Sequence, residues 1–551
     1  MNGGAYEKMK EKNSQKTKRG AIARAWSAFK FYGCNVVLLS VLTGLASGVI
    51  VTFYNICTGY GEQYSRRLYE LVLEYPAFIP LLIMGLAAAA VVIGTLVRFV
   101  PMIRGSGIPQ IEGACRGKFA FNWYVTLCSM FAASLACVFL GLAAGSEGPS
   151  IELGGCVGEG TGRVLRRSYM MRRLQIASGA SAGFAVAFNA PVTGTIFALE
   201  EAFKSFSPQI FVSASVSVLS ALAVRTGIRS ALGMSVGFSF EHFVFASSFD
   251  WRGYLFTAAA ALVVALVAVA FYHSVTAAGK LFKKITFFKG AGKFIIPFVI
   301  SGAFGLVTAF AMGGGHSFID SLATCGTGVY DGISVLGASA AVSLAVIVVF
   351  RFIMMTLYMS CGVPCGVFIP MLAVGAGTGA LLSALFVEVG MPPEYCDYIV
   401  VICMSVFFTA FVRAPVTGLF MVFELTGQFT NALPALMGVI IALLVAEVCR
   451  TEPGYERNLH NYMRDMGYTG ELRHFTFTVT VQPRSLADGG KINKIIWPSG
   501  GLVTAITSAD GRSVVPSGGT RLSEGQVIEF ECSADDGDEV LDYLYTIVGK
   551  P

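Results

Sequence analysis

Charge is what this chain has least of. Only 13% of its 551 residues are charged and 54% are hydrophobic, whereas a soluble domain carries about 25% charged residues. That balance excludes a soluble globule and implies many membrane crossings. Metal-type spacing is missing as well. The thirteen Cys are scattered through apolar stretches without C-x-x-C repeats, and the five His show no H-E-x-x-H pattern. The thiols therefore read as buried and unpaired, with no disulfide and no metal site expected. No nucleophile–base pair is apparent, so neither an enzyme nor a cofactor is expected. No cleavable leader is evident. The net charge of +6 is too modest to imply nucleic acid, and the N-terminal basic cluster reads as topology and lipid headgroup contact.

What the chain has in quantity is apolar length and glycine, 63 residues of it, which suits close helix packing in lipid. A tail over residues 1–19, carrying Lys8, Lys10, Lys12, Lys16, Lys18 and Arg19, is expected on the cytoplasmic side. Residues 20–32 read as an interfacial amphipathic helix. Long membrane runs follow at Val36–Cys57, Phe78–Val100 and Trp123–Gly145, with a separate polar segment over Tyr60–Tyr75. Arg163, Arg166, Arg167, Arg172 and Arg173 read as a cytoplasmic loop. Later apolar segments are often short or cut by Gly and Pro, which a membrane tolerates only where they line a cavity inside the protein.

The informative stretch is Gly145-Ser146-Glu147-Gly148-Pro149. A carboxylate at membrane depth is expensive and marks an ion pathway by default. Pro149 fits the first turn of a helix. The N–H groups of Ser146, Glu147 and Gly148 then lack helical partners and, with the helix dipole, form a seat for an anion. The Glu147 carboxylate and an anionic ligand are expected to compete for it.

A repeat runs through the chain. Ala190-Pro191-Val192-Thr193-Gly194 recurs as Ala414-Pro415-Val416-Thr417-Gly418, Glu200 matches Glu424, and Gly145-x-x-x-Pro149 matches Gly366-x-x-x-Pro370. Paired broken helices in two halves point to a binding site near the bilayer midplane. The halves are placed at residues 33–232 and 251–449. A short helix follows over Tyr455–Met466. From His474 the pattern alternates as strands do, with turn signals between runs and an amphipathic helix over Asp538–Val548. This predicts a small soluble α+β domain over residues 474–551.

Gly105-Ser106-Gly107-Ile108-Pro109, Gly145-x-Glu147-Gly148-Pro149 and Gly366-Val367-Phe368-Ile369-Pro370 resemble the three signature motifs of the CLC chloride channel and transporter family, over residues 20–466. The resemblance implies an all-α polytopic membrane fold, a homodimer with one pore per subunit, and an inverted repeat of tilted, broken helices. The C-terminal tail resembles the C-terminal domain of regulator-of-potassium-conductance proteins (TrkA-C-like), which leaves room for a small-molecule effector there. The CBS-domain pair of eukaryotic members has no counterpart. This implies a prokaryotic member in the cytoplasmic membrane, with both termini in the cytoplasm.

By resemblance, Ser106 and Tyr455 give hydroxyls to a bound chloride, and backbone groups at Gly107, Ser146, Gly148, Val367 and Phe368 complete the anion site. Glu147 resembles the gating glutamate and Glu201 the inner proton acceptor of the exchangers. Carrying both implies chloride/proton antiport; a passive chloride channel of the same fold is the alternative. Glu200 could take the structural role beside Glu201. One residue departs from the pattern: Ser146 stands where most members have Lys or Arg. The loss of that cation is expected to weaken anion binding.

Overall fold

The computed structural model describes residues 36–550, apart from residues 237–239, 241, 246–249, 285–289, 325, 329, 331–332, 430–431, 468–472, 496, 499–500, 509 and 535–536. The expected tail over residues 1–19 and interfacial helix over residues 20–32 lie outside the described residues.

Helices dominate. The first half comprises α1 (Leu38–Glu74), α2 (Ile79–Phe99), α3 (Ile108–Cys115), α4 (Trp123–Phe139), α5 (Glu147–Val164), α6 (Tyr169–Phe188), α7 (Pro191–Phe197) and α8 (Pro208–Ala231). The second comprises α9 (Trp251–Lys284), α10 (Ile295–Gly305), α11 (His316–Asp320), α12 (Ala340–Cys361), α13 (Phe368–Glu388), α14 (Cys396–Val412), α15 (Pro415–Thr426) and α16 (Ala432–Val448). A polar helix, α17 (Gly454–Asp465), ends the helical part. Seven of the described helices are long and apolar enough to cross a membrane.

Small residues let the central helices touch backbone to backbone. A Cβ on Gly154 of α5 would lie 2.1 Å from the carbonyl oxygen of Gly179 on α6, and one on Gly179 equally close to that of Gly154. Gly158 and Gly183 repeat the contact one turn away on each helix. Buried hydroxyls tie the next layer together: Ser40 of α1 and Ser178 of α6 each lie 2.7 Å from Ser213 Oγ of α8. In lipid, such close packing and interhelical hydrogen bonds replace the hydrophobic drive.

The two halves repeat in backbone detail. Asn189 and Arg413 both take the left-handed conformation (φ 57° and 69°) at the ends of α6 and α14. Each is followed by Ala and then by Pro at the start of α7 or α15.

Two boundaries differ from expectation. α1 is one 37-residue helix that absorbs the polar segment after Cys57. No proline interrupts its hydrogen-bond ladder, and Gly61 admits the ring of Phe139. Conversely, α4 stops at Phe139 although apolar sequence continues to Ala144. Gly141 turns there at φ 73°, where a side chain would meet Tyr69 and Met312. The Leu142 carbonyl is then free to accept from Gly313 N–H, 3.0 Å.

The C-terminal part is a four-stranded antiparallel sheet in the order β1-β4-β2-β3. Its strands are β1 (Arg473–Thr480), β2 (Gly501–Thr507), β3 (Ser513–Val514) and β4 (Val527–Ala534), and α18 (Gly537–Val548) follows them. Ile528 and Phe530 of β4 pack with Leu544 and Val548 of α18 in a core of their own.

Candidate functional site

Three glycine-rich turns meet at one point. Gly145 and Gly366 exchange both backbone hydrogen bonds, each 2.8 Å, as an isolated antiparallel bridge. The chain therefore enters α5 and α13 from opposite directions, and the two helix starts face each other. A Cβ on Gly148 would lie 2.7 Å from the carbonyl oxygen of Ser106 and 3.2 Å from Gly366 Cα. One on Gly366 would lie 3.1 Å from Glu147 N. The glycines thus leave the helix starts uncovered. Gly107, at φ 77°, caps α3 in the left-handed region that favours glycine. No N-cap side chain satisfies the start of α3, α5 or α13. The structure therefore brings Ser106, Gly107, Ser146, Glu147, Gly148, Val367 and Phe368 together around unpaired N–H groups at the positive ends of helix dipoles. That arrangement attracts an anion.

Glu147 closes one side of this cluster. It is only 2% exposed. Its Oε1 lies 3.1 Å from His316 Nε2 and accepts from Ser146 Oγ at 3.4 Å. Its Oε2 has no hydrogen-bond partner among the described residues. The carboxylate thus rests on the imidazole and a hydroxyl, not on the amides it is expected to contest.

His316 opens α11, directly after a loop that Arg351 of α12 holds in shape. The Arg351 guanidinium donates to the carbonyls of Phe310 (2.6 Å), Met312 (3.2 Å) and Gly314 (3.3 Å). Sequence reasoning passed over both residues. The run Gly313-Gly314-Gly315 before His316 was the only signal.

On the other side a cavity of about 490 Å³ reaches Ser106 and Val367. Arg104, Lys280, Lys283, Lys293, Arg457 and Arg464 line it, against one acid, Asp465. Low-dielectric walls lined mostly by one sign of charge concentrate counter-ions, so this lining favours anions over cations.

Tyr455, in the first turn of α17, is fully buried, and its hydroxyl has no hydrogen-bond partner among the described residues. Glu147 and Glu201 both lie within electrostatic range of its phenol. Glu201 sits in a π-helical turn, Ala198–Ala202, at 2% exposure, and its Oε1 is likewise without a hydrogen-bond partner. Glu200 beside it turns away to α15, where its carboxylate accepts from Val416 N, Thr417 N and Thr417 Oγ1. Glu200 thus takes a structural role as a cap on α15, and Glu201 makes no such cap.

Next to Glu201 stands an ion cluster. Lys204 Nζ is 3.0 Å from Glu112 Oε1 and 3.2 Å from Glu456 Oε2, and Arg116 is 3.0 Å from Glu112 Oε1. Burial pushes the Glu456 carboxyl up, but Lys204 and Arg116 outweigh it and hold the group below its ordinary value. A further buried acid went unpredicted. Glu152 is fully buried behind Gly107, its Oε2 1.9 Å from where a Cβ there would be, and neither of its oxygens has a hydrogen-bond partner among the described residues.

The chain resembles known proteins over most of its length. A family model described as voltage gated chloride channel matches residues 88–447. The H(+)/Cl(-) exchange transporter ClcA of Vibrio cholerae is 29% identical over 443 residues, covering 78% of this chain and 90% of its own. That of Vibrio parahaemolyticus is 28% identical over 447 residues, with the same coverage. Among solved structures, a slow cyanobacterial Cl-/H+ antiporter superposes with a TM-score of 0.69 at 22% identity, over 79% of this chain and 99% of that one. A eukaryotic CLC transporter gives 0.61 at 18% identity, over 94% and 90%. Helical architecture, paired glycine turns and the family model agree: the chain belongs to the voltage-gated chloride channel family.

Proposed function

We propose that this protein is a secondary active antiporter that exchanges chloride for protons across a membrane. The observation that carries the reading is a pair of buried carboxylates, Glu147 at the facing helix starts and Glu201 on another turn, both within electrostatic range of the buried Tyr455 hydroxyl. Ser106 and Tyr455 give hydroxyls to the anion, and the backbone at Gly107, Ser146, Gly148, Val367 and Phe368 gives amides. Neutral donors hold an anion without trapping it, as transport requires. Ionised, Glu147 occupies the seat in the anion's place. Protonated, it is no longer drawn to the amides and lets the anion pass. Glu201 exchanges that proton with the side bearing the Lys204–Glu112–Glu456 cluster.

The names of the relatives, H(+)/Cl(-) exchange transporter and Cl-/H+ antiporter, support this reading. Within it, the chain works as a homodimer in a prokaryotic cytoplasmic membrane, with both termini in the cytoplasm. The C-terminal sheet domain is a TrkA-C-like module with room for a small-molecule effector. The test is paired chloride and proton flux from purified protein in liposomes. A chloride gradient is expected to drive protons uphill. Chloride flux without proton movement would instead identify a passive chloride channel.

A further inference from the structure

A buried gating carboxylate needs a way to reach the solution, and Glu147 is only 2% exposed. The group that bridges this gap is His316. Its side chain is 35% exposed while its Nε2 lies 3.1 Å from Glu147 Oε1. The surroundings include polar groups. Glu62 of α1 lies against Gly313, and Arg66 of α1 donates to Ser317 Oγ at 2.5 Å. The charged groups facing the imidazole are Glu147 from α5, Glu62 from α1 and Asp320 from its own helix. Arg351 of α12 is spent on the carbonyls of the loop below. The ring of Phe240 packs 5.7 Å from the imidazole and limits its tilt.

We propose that His316 is the outer proton carrier of the exchanger, passing protons between the solution and the Glu147 carboxylate. This rests on the antiport reading above. In the Nε2–H tautomer, Nδ1 takes a proton from hydronium or a buffer acid and the ring becomes imidazolium. The Nε2–H bond then breaks as an O–H bond forms on Glu147 Oε1. Imidazolium and carboxylate become neutral imidazole and neutral carboxylic acid, with charge and protons conserved. The imidazolium also supplies, from α11, the positive charge that Ser146 does not.

The experiment uses the full chain in liposomes, with chloride and proton flux measured together as the pH on the His316 side is varied. For both His316→Gln, which keeps a polar side chain, and His316→Ala, proton flux falls on the order of a hundredfold relative to chloride flux, the lower end of the range for loss of a positioned acid–base group. Imidazole added on that side restores the proton flux of His316→Ala, an effect that a merely structural role would not produce. A wild-type flux ratio and pH profile in both variants, or failure of imidazole to restore proton flux, would overturn the proposal. The wild-type vesicles test the antiport reading separately: if they couple no protons to chloride, that reading fails before the variants are compared.

Discussion

Glu200 and Glu424 hold equivalent places in the two halves, and each caps the other half's broken helix. Glu200 accepts from Val416 N (3.0 Å) and Thr417 N (2.6 Å). Glu424 accepts from Val192 N and Thr193 N, both 2.7 Å, and from the Thr193 hydroxyl. The first-turn donors that a proline-led helix leaves orphaned are satisfied across the repeat. The exchange fixes α7 against α15 and, through α7, the turn that carries Glu201.

Glu424→Ala removes both oxygens from buried donors. It is expected to lower stability by about 2–4 kcal/mol, read as a fall in the thermal unfolding temperature. Glu201→Ala, which breaks no such cap, is expected to change stability by less than about 1 kcal/mol. Equal losses in the two variants would contradict the distinction between a capping glutamate and Glu201.

Arg351 satisfies the carbonyls of the loop before His316. Arg351→Leu leaves them buried and unpaired, at a cost of about 3–5 kcal/mol. Thermal unfolding measures the loss. Hydrogen exchange over residues 310–316 is expected to rise in the same variant, because that loop loses its anchor.

The contact between α5 and α6 is backbone against backbone and cannot yield to a side chain. Gly179→Leu is expected to give no monodisperse protein on size-exclusion chromatography, since its Cβ would sit 2.1 Å from a carbonyl oxygen. Gly59→Ala is the contrasting case. Nothing lies within 4 Å of a Cβ there, and in mid-helix the change is expected to stabilise by about 0.5–1 kcal/mol.

The Glu456 carboxyl is held below its ordinary value by Lys204 and Arg116. Its folded pKa is depressed, so the stability it contributes is fully present above the ordinary glutamate range and is lost as pH falls through the lowered value. The stability gap between the wild type and Glu456→Gln is therefore expected to be constant at neutral pH and to close only in acid below that range. Because Glu456 is part-exposed, the gap is small and shrinks with salt.

Much of the site was legible because it is built from backbone, and backbone sites leave glycine and proline in the sequence. Gly105, Gly107, Gly145, Gly148 and Gly366 were readable as motif glycines before any fold was known, and the matched Pro191 and Pro415 exposed the repeat. Helix ends were harder to read. Leu142–Ala144 is as apolar as the helix before it, and what turns the chain is tertiary: Tyr69 and Met312 around Gly141, and the bridge from Gly145 to Gly366. The merger of Tyr60–Tyr75 into α1 was not legible because Arg66, Arg67 and Glu70 make that stretch polar, unlike the apolar run before it. His316, Arg351 and Glu152 were not legible, since each matters through a partner far away in sequence. Ser146 looked like the loss of a cation, and the fold sets an imidazole beside the same carboxylate from the other half of the chain.

The central claim is that the Glu147 carboxylate and chloride contend for the same helix-start amides. Titration calorimetry of chloride into the purified protein, repeated across pH and in buffers of different ionisation enthalpy, tests it most directly. For the wild type, affinity is expected to rise as pH falls, with binding taking up as much as about one proton per chloride. For Glu147→Gln, affinity is expected to be higher and binding to take up no proton through this site. Identical affinities and proton uptake in the two proteins would contradict the account.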